Sequence, residues 1–253
     1  MTALIEARRV SKRYGAFQAL DGVSLAIGAG EVVSIVGPNG AGKTTLVNLL
    51  TGLLAPTSGE IYFKSASIAG LGPVALAARG MARTFQLVQI FPQLTVAETI
   101  AAAVVSQQGK HWRLLASVST DKAVCARVEE VAAIFGLAGR LQSPSRMLSQ
   151  GEKKLLDVAS AFALAPEVIL LDEPTSGVSS AEKHGLMRTL LGAAKTAGVK
   201  AIILVEHDMD LVSSYSQRIV ALSEGKVLAD LPPHAFFSDP HLIETVVGKR
   251  RGA

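Results

Sequence analysis

The sequence predicts an α/β fold in which a helical lobe is inserted into a core of buried strands. Short apolar runs, typical of buried strands, cover residues 31–36, 168–171 and 201–205. Between residues 96 and 146 the sequence changes to an alanine-rich stretch with helical spacing and few β-branched pairs. We therefore expect strands and helices to share the core, with helices alone in the middle of the chain.

Length and composition indicate a globular chain with a sizeable core. It has 253 residues, of which 49% are hydrophobic and 18% charged, a balance unlike that of disordered proteins. No apolar run reaches the roughly 18 residues of a membrane span, and Glu6 interrupts the first apolar stretch, so we expect neither a span nor a secretory signal. The single cysteine, Cys125, excludes an intrachain disulfide and fits a reducing cytoplasm. The net charge of +4 is too small to indicate a partner.

The first third of the chain is predicted to contain strands and turns. We expect strands at residues 4–10, 23–27 and 31–36, a loop around Tyr14 and Gly15, and a helix over 43–50 that ends at Gly52. Later, a helix is expected between the strands at 168–171 and 201–205. Two further strands, at 218–222 and 226–228, should flank a turn at Glu224 and Gly225. The pattern leaves the order of the last twenty residues open.

Residues 37–44, Gly-Pro-Asn-Gly-Ala-Gly-Lys-Thr, match the phosphate-binding loop pattern G-x-x-x-x-G-K-[ST] in full. Its glycines let backbone amides approach phosphate oxygens, and the helix that follows turns its amino end toward the anion. Lys43 is expected to reach the β- and γ-phosphates, and the Thr44 hydroxyl to ligate magnesium. A chance glycine-rich turn is disfavoured because the loop follows a predicted strand and opens a predicted helix.

Two acids, Asp172 and Glu173, end the apolar run that starts at residue 168. An aspartate at the end of a buried strand can hold magnesium directly or through water. The adjacent glutamate can orient or deprotonate the attacking water. Taken alone, two acids after a strand are equally typical of a solvated loop. The phosphate-binding loop favours the catalytic interpretation, because phosphoryl chemistry with magnesium needs such a partner.

Further motifs make the chain resemble the ATP-binding cassette (ABC) family. Residues 148–152, Leu-Ser-Gln-Gly-Glu, resemble its signature, and Gln86 matches the loop that joins the core to the helical lobe. His207 matches the switch histidine, and Tyr14 the aromatic that stacks on adenine. The resemblance implies a P-loop NTPase with a RecA-like core, an antiparallel β subdomain and an inserted α-helical lobe. The implied bounds are 1–94 and 160–230 for the core with its β subdomain, 95–159 for the lobe and 231–253 for a C-terminal tail.

The resemblance also implies ATP and Mg²⁺ as ligands. It implies catalytic roles for Lys43, Gln86, Glu173 and His207, and metal ligation by Thr44, Gln86 and Asp172. The residues implied to contact nucleotide are Tyr14, Gly37, Pro38, Asn39, Gly40, Ala41, Gly42, Lys43, Thr44, Thr45, Ser149, Gln150, Gly151 and Glu152. In the family the signature completes the site of an opposing subunit, so a head-to-tail dimer with ATP between the subunits is implied.

Several of these residues also have ordinary structural interpretations. Tyr14 could be a loop aromatic, Gln86 a solvated side chain and His207 a structural histidine. Ser149 precedes Glu152 by three residues, the spacing of a helix capping box. A cap and a phosphate site are compatible, because a helix amino end is what would bind the γ-phosphate of a nucleotide held by a partner.

Residues 79–86, 91–98 and 205–209, with Glu152, are similar to bacterial importer ATPases for branched-chain amino acids and to their urea and amide relatives. The similarity implies a cytoplasmic subunit bound to the inner face of the inner membrane. The implied partners are a second ABC ATPase (an identical copy or a sister subunit), transmembrane permease subunits and, indirectly, a periplasmic substrate-binding protein, with no nucleic acid. The alternative is a soluble ABC ATPase, but the two fused cassettes or long coiled-coil insert usual there are not seen in this sequence.

Two positions depart from the general family pattern. Gln150 replaces the glycine usual at the third position of the signature, and Ser179 stands where most members carry aspartate in the loop that couples two ATP sites. We expect an active site because Glu173 is present. The chemistry of coupling at Ser179 and the role of the basic run at 249–251 stay open, as does the transported solute.

Overall fold

The structure is a computed structural model that describes residues 3–84, 91–107 and 121–247. The chain packs as two compact units, one formed by Met1–Leu76 with Lys200–Ala253 and the other by Ala77–Val199. These units do not follow the predicted core, lobe and tail, so that division stays a prediction. In chain order the elements are β1 (Ala3–Tyr14), β2 (Phe17–Gly28), β3 (Val32–Val36), α1 (Lys43–Leu50), β4 (Ser58–Phe63), β5 (Ala66–Ser67), α2 (Pro73–Ala78), β6 (Met81–Arg83), α3 (Val96–Gln107), α4 (Lys122–Ile134), α5 (Gln150–Ala163), β7 (Val168–Asp172), α6 (Ser180–Thr196), β8 (Ala201–Val205), α7 (Met209–Tyr215), β9 (Arg218–Ser223), β10 (Lys226–Leu231), α8 (Pro233–Phe237) and α9 (Pro240–Val247).

An antiparallel sheet in the order β2-β1-β4-β5 opens the first unit. Alternate residues of β2, including Val23, Leu25 and Ile27, are buried, as expected for a strand with one face on the core. The strands β1 and β2 are longer than predicted and run to a tight turn after Tyr14. A register shift around Arg9, whose φ is 48°, interrupts the alternation in β1, and further shifts between Val10 and Arg13 lie beyond the predicted end of the strand.

Parallel strands form the core of the first unit. Strand β3 lies between β8 and β9 and runs parallel to both, while β10 pairs with β9 antiparallel. Val33, Ile35 and Val36 of β3 are fully buried, because a central parallel strand is covered on both faces. The helix predicted over residues 43–50 is confirmed as α1, and Gly52, at φ 69°, follows its last turn.

Two helices, α8 and α9, lie in the C-terminal part of the first unit, where the sequence left the order open. Helices α8 and α9 bury Phe236, Leu242 and Val246 in a cluster with Val36 and Ile219. Their apolar side chains therefore cover the strands that lead toward the phosphate loop. Pro232 precedes α8 with an extended backbone and fixes where the helix begins.

Helices dominate the second unit. Three of them, α3, α4 and α5, contact one another, and Phe135 packs edge-on against Phe162 with ring centroids 5.1 Å apart. Short 3₁₀ turns at Ala138–Arg140 and Ser145–Met147 lead into α5. Strands β6 and β7 of this unit pair in parallel. Within the three described ranges, no helix is both long enough and apolar enough to cross a membrane.

Candidate functional site

The loop between β3 and α1 has the shape of a phosphate cradle. Gly37 has φ 150°, and a Cβ placed there would lie 2.3 Å from the carbonyl oxygen of Leu222. Gly42 has φ 99°, and a Cβ there would lie 2.7 Å from the carbonyl oxygen of Ala19. Since real Cβ atoms do not approach backbone so closely, both positions require glycine. The two glycines therefore let the loop pack tightly against neighbouring backbone, which fixes its path between β3 and α1.

Positive charge is concentrated over this loop. The Lys43 ammonium donates to the carbonyl oxygens of Gly37 at 2.6 Å and Pro38 at 2.9 Å, and the side chain is buried. Helix α1 begins directly after Gly42, which has no side chain to accept from the first-turn amides. A helix amino end with a lysine beside it attracts phosphate oxygens. The residues present therefore suit a nucleoside triphosphate. Thr44 is exposed in the first turn of α1, where its hydroxyl can serve as a magnesium ligand.

His207 lies just beyond the edge of the parallel strands at which the phosphate cradle also begins. Ile35 of β3 pairs with Val205 of β8, so both strands end at one edge of the first unit. The loop starts two residues after Ile35, and His207 follows two residues after Val205. Its side chain is exposed, while the preceding Glu206 is buried and accepts the His207 backbone N–H at 3.3 Å. This arrangement is compatible with the predicted switch role.

Tyr14, the predicted adenine-stacking residue, is the last residue of β1. Its ring is 47% exposed, and the Lys12 ammonium lies 5.4 Å from the ring centroid. Phe17, directly opposite in the hairpin, is also exposed. The ring of Tyr14 is therefore accessible to a planar ligand, as the prediction requires.

The carboxylate pair ends β7 in the second unit. Asp172 is buried and its Oδ2 accepts from Nη2 of Arg83 at 2.8 Å. Glu173 has φ 48°, a costly conformation for a residue with a side chain. Its carbonyl oxygen accepts from the Ser176 N–H at 3.0 Å and from the Lys154 ammonium at 3.4 Å, which holds this conformation in place. The solvated-loop interpretation of these acids does not fit a buried, ion-paired aspartate.

The signature residues form the capped start of α5. The Ser149 hydroxyl accepts from the Glu152 N–H at 3.2 Å, and the Glu152 carboxylate accepts from the Ser149 N–H at 2.8 Å. The predicted capping box is thus confirmed. The Ser149 backbone N–H lowers the pKa of Glu152, and the guanidinium of Arg140 adds to this effect. Ser149 and Gln150 are exposed and Gly151 is half-buried, so a helix amino end faces outward.

The predicted site residues are divided between the two units. The first unit carries Tyr14, the whole cradle and His207, and the second carries the carboxylate pair and the signature. Gln86, predicted as catalytic and as a metal ligand, lies outside the described residues. Arg83 and Lys154 were not predicted to take part, since sequence alone gives no sign that they reach residues 89 and 19 positions away. No cluster of three or more acids, histidines or cysteines suited to a metal occurs in the described ranges.

Comparisons with known proteins show which family this sequence and fold match. The profile of the ABC transporter family matches residues 20–176. The high-affinity branched-chain amino acid transport ATP-binding protein LivG of Escherichia coli K12 is 33% identical over 251 residues, covering 97% of this chain and 98% of LivG. The ADP conformation of MJ1267, an ATP-binding cassette of an ABC transporter, superposes with a TM-score of 0.86 at 27% identity, covering 98% of this chain and all of that chain.

A second structure bears on assembly. The dimeric post-hydrolysis state of the cassette MJ0796, bound to ADP and Pi, matches with a TM-score of 0.75 at 26% identity, over 90% of this chain and 98% of that one. The predicted family membership and fold class are therefore confirmed. This chain belongs to the ABC transporter family and has the fold of its ATP-binding cassettes.

Proposed function

We propose that this chain is the ATP-binding and hydrolysing subunit of an ABC importer for branched-chain amino acids or related small solutes. The observation that carries the proposal is the cradle, where positions 37 and 42 have room only for glycine and a lysine ammonium lies over the loop. The solute class is supported by relatives such as LivG, whose name states branched-chain amino acid transport.

Nucleotide binding rests on residues of the first unit. The loop amides and the start of α1 bind the phosphate chain, and Lys43 neutralises its β and γ oxygens. Tyr14 offers its exposed ring to adenine. Magnesium, when bound, would supply positive charge that offsets the negative charge of the phosphate chain during transfer. We propose Thr44, Asp172 and Gln86 as the residues that hold it.

Water activation rests on Glu173. Its backbone is held in an unfavourable conformation by Ser176 and Lys154, which is the kind of local strain that occurs where a side chain must be aimed. A carboxylate carried on a backbone fixed in this way can orient a water and accept its proton. His207, at the edge of the sheet where the cradle begins, is proposed to stabilise the leaving γ-phosphate.

The signature of each subunit is proposed to complete the site of its neighbour. The start of α5 is exposed at Ser149 and Gln150, so an anion carried by another chain can reach its N–H groups. The dimeric cassette MJ0796 with ADP and Pi supports pairing as the working form. Hydrolysis would remove contacts that only ATP makes and so favour separation. Ser179 precedes the first residue of α6 without a side-chain bond to the helix amides, and its hydroxyl donates to Glu182 at 2.5 Å. We propose that coupling through this hydroxyl differs chemically from coupling through an aspartate.

Permease docking is proposed at an exposed apolar patch of the second unit formed by Phe91 and Met147. Both side chains are largely exposed. The segment after Phe91 is held to the turn before Met147, because Arg146 N–H donates to Pro92 at 3.2 Å and Ser145 N–H donates to Leu94 at 2.8 Å. Such a patch suits a short amphipathic helix of a membrane partner, which would place the chain at the cytoplasmic face of the inner membrane.

Glu173→Gln tests the hydrolytic assignment. The amide keeps the shape of the side chain but cannot take a proton, so we expect ATP to stay bound and the dimer to persist. Gel filtration with ATP and magnesium measures this. Glu129→Gln, an exposed change on α4, is the control and should behave like the unmodified chain. A Glu173→Gln variant that remains monomeric would contradict the assignment.

Phe91→Asp tests the docking patch. A charge there should reduce co-purification with permeases from detergent-solubilised membranes, identified by mass spectrometry. Val74→Asp, at an apolar residue of the first unit that is even more exposed than Phe91, should not. Equal recovery of both variants would argue against the patch. Recovery of translation or DNA-repair factors in place of permeases would favour the soluble alternative.

A further inference from the structure

The side chains of Arg83 and Asp172 form a buried ion pair inside the second unit. Nη2 of Arg83 lies 2.8 Å from Oδ2 of Asp172, and the two side chains are only 10% and 8% exposed. The pair between Arg8 and Glu6 has the same 2.8 Å separation but is 56% and 33% exposed. Water screens the exposed pair, whereas the buried pair interacts strongly and in a fixed geometry.

Two consecutive residues hold the end of β7. Arg83 ends β6 and pairs in register with Leu170, two residues before Asp172. Thr84 N–H donates to the Leu170 carbonyl at 2.9 Å, and the Thr84 hydroxyl oxygen accepts from the Asp172 N–H at 3.4 Å. Both the backbone and the carboxylate of Asp172 are therefore fixed by residues 83 and 84.

Stability alone does not explain this pair. A buried ion pair is often no better for stability than two well-packed apolar side chains, because both charges lose their hydration. The pair does help to orient the carboxylate, because a charge-assisted hydrogen bond to the Arg83 guanidinium fixes the direction of the Asp172 Oδ2 atom. Residues 83 and 84 also immediately precede the segment that contains Gln86, the other residue proposed to reach the metal.

We propose that Arg83 is a positioning residue that holds the carboxylate of Asp172 in the orientation needed for magnesium, an inference that rests on the function proposed above. Arg83 acts through Asp172 and does not itself contact metal or nucleotide. Its removal should weaken the preference for magnesium-bound nucleotide while leaving the affinity for nucleotide alone intact, because the cradle belongs to a different part of the chain.

The test compares nucleotide affinity with and without magnesium. A fluorescent ATP analogue is titrated into the full chain in excess Mg²⁺ and again in EDTA, and the ratio of the two affinities is the magnesium effect. Because partners of metal-binding side chains typically affect metal affinity by about 10–100-fold, we expect Arg83→Met to lower the ratio about tenfold and to change the EDTA affinity less than about twofold. Arg83→Lys, which keeps the charge but lacks the planar fork, should recover part of the loss. Arg8→Met, the exposed matched control, should leave the ratio unchanged.

Thermal unfolding of each variant shows which of them remain folded. If Arg83→Met does not fold, the affinity ratio of Arg83→Lys still tests the proposal, because lysine keeps a buried cation beside Asp172. An unchanged magnesium effect in the folded variants would overturn the proposal. A larger magnesium effect would also overturn it, because it would mean that Arg83 competes with magnesium for Asp172. An unmodified chain that binds ATP without responding to magnesium would overturn the metal role of Asp172. One that does not bind ATP at all would overturn the proposed function itself.

Discussion

Replacing Gly42 by alanine should damage the phosphate loop much more than the same change at Gly30. Both glycines have a left-handed backbone, with φ 99° at Gly42 and 88° at Gly30, and a residue with a side chain in such a conformation costs about 1–3 kcal/mol. A Cβ at Gly30 would meet nothing within 4 Å, whereas one at Gly42 would lie 2.6 Å from Cδ2 of Leu20 and 2.7 Å from the Ala19 carbonyl oxygen. Overpacking of that kind adds about 1–3 kcal/mol.

The expected loss of stability is therefore about 2–6 kcal/mol for Gly42→Ala and about 1–3 kcal/mol for Gly30→Ala. In a chain of this size about 1 kcal/mol moves Tm by 2–4 °C, so the extra clash should place the Tm of Gly42→Ala about 2–12 °C below that of Gly30→Ala. Differential scanning fluorimetry measures the two values, and titration with an ATP analogue should show weakened binding for Gly42→Ala alone. Equal Tm and equal affinity in the two variants would refute the steric reasoning.

Two other changes test the charges of the site. Lys43→Ala should weaken ATP binding, because it removes the ammonium that lies over the loop; an unchanged affinity by titration would contradict this. Glu152→Gln should lower Tm at neutral pH. The Ser149 backbone N–H holds the pKa of Glu152 below its usual value, so this carboxylate stabilises the fold above the unfolded pKa and the contribution is lost as pH falls through the lowered one. The Tm deficit should therefore shrink below about pH 4, and a deficit that stays constant from pH 7 to pH 3 would exclude the carboxylate charge as its cause.

Local features of the fold were predictable because their determinants lie within a few residues. Helix α1 begins at Lys43 and ends before Gly52, as expected from a glycine-rich loop at one end and a glycine at the other. The capping box at Ser149 and Glu152 follows from a spacing of three. The β9–β10 turn at Glu224 and Gly225 has positive φ at both residues, which the sequence signals by its glycine.

Features that depend on distant contacts were not predictable. The contact between Arg83 and Asp172 joins residues 89 positions apart, and nothing near Arg83 in the sequence distinguishes it from a surface arginine. Helix α8 begins at the second of two consecutive prolines and α9 begins at Pro240. The apolar side chains of both helices are buried by contact with strands that are distant in the sequence. The length of β1 was missed because register shifts between Val10 and Arg13 disturb the alternation beyond the predicted end of the strand.

The most direct test of this account is a structure of Glu173→Gln with ATP and magnesium. We predict a head-to-tail pair in which the loop at residues 37–44 of one subunit surrounds the triphosphate and the Ser149 hydroxyl of the partner subunit contacts a γ-phosphate oxygen. A nucleotide-loaded structure in which Ser149 of neither copy approaches a γ oxygen would contradict it.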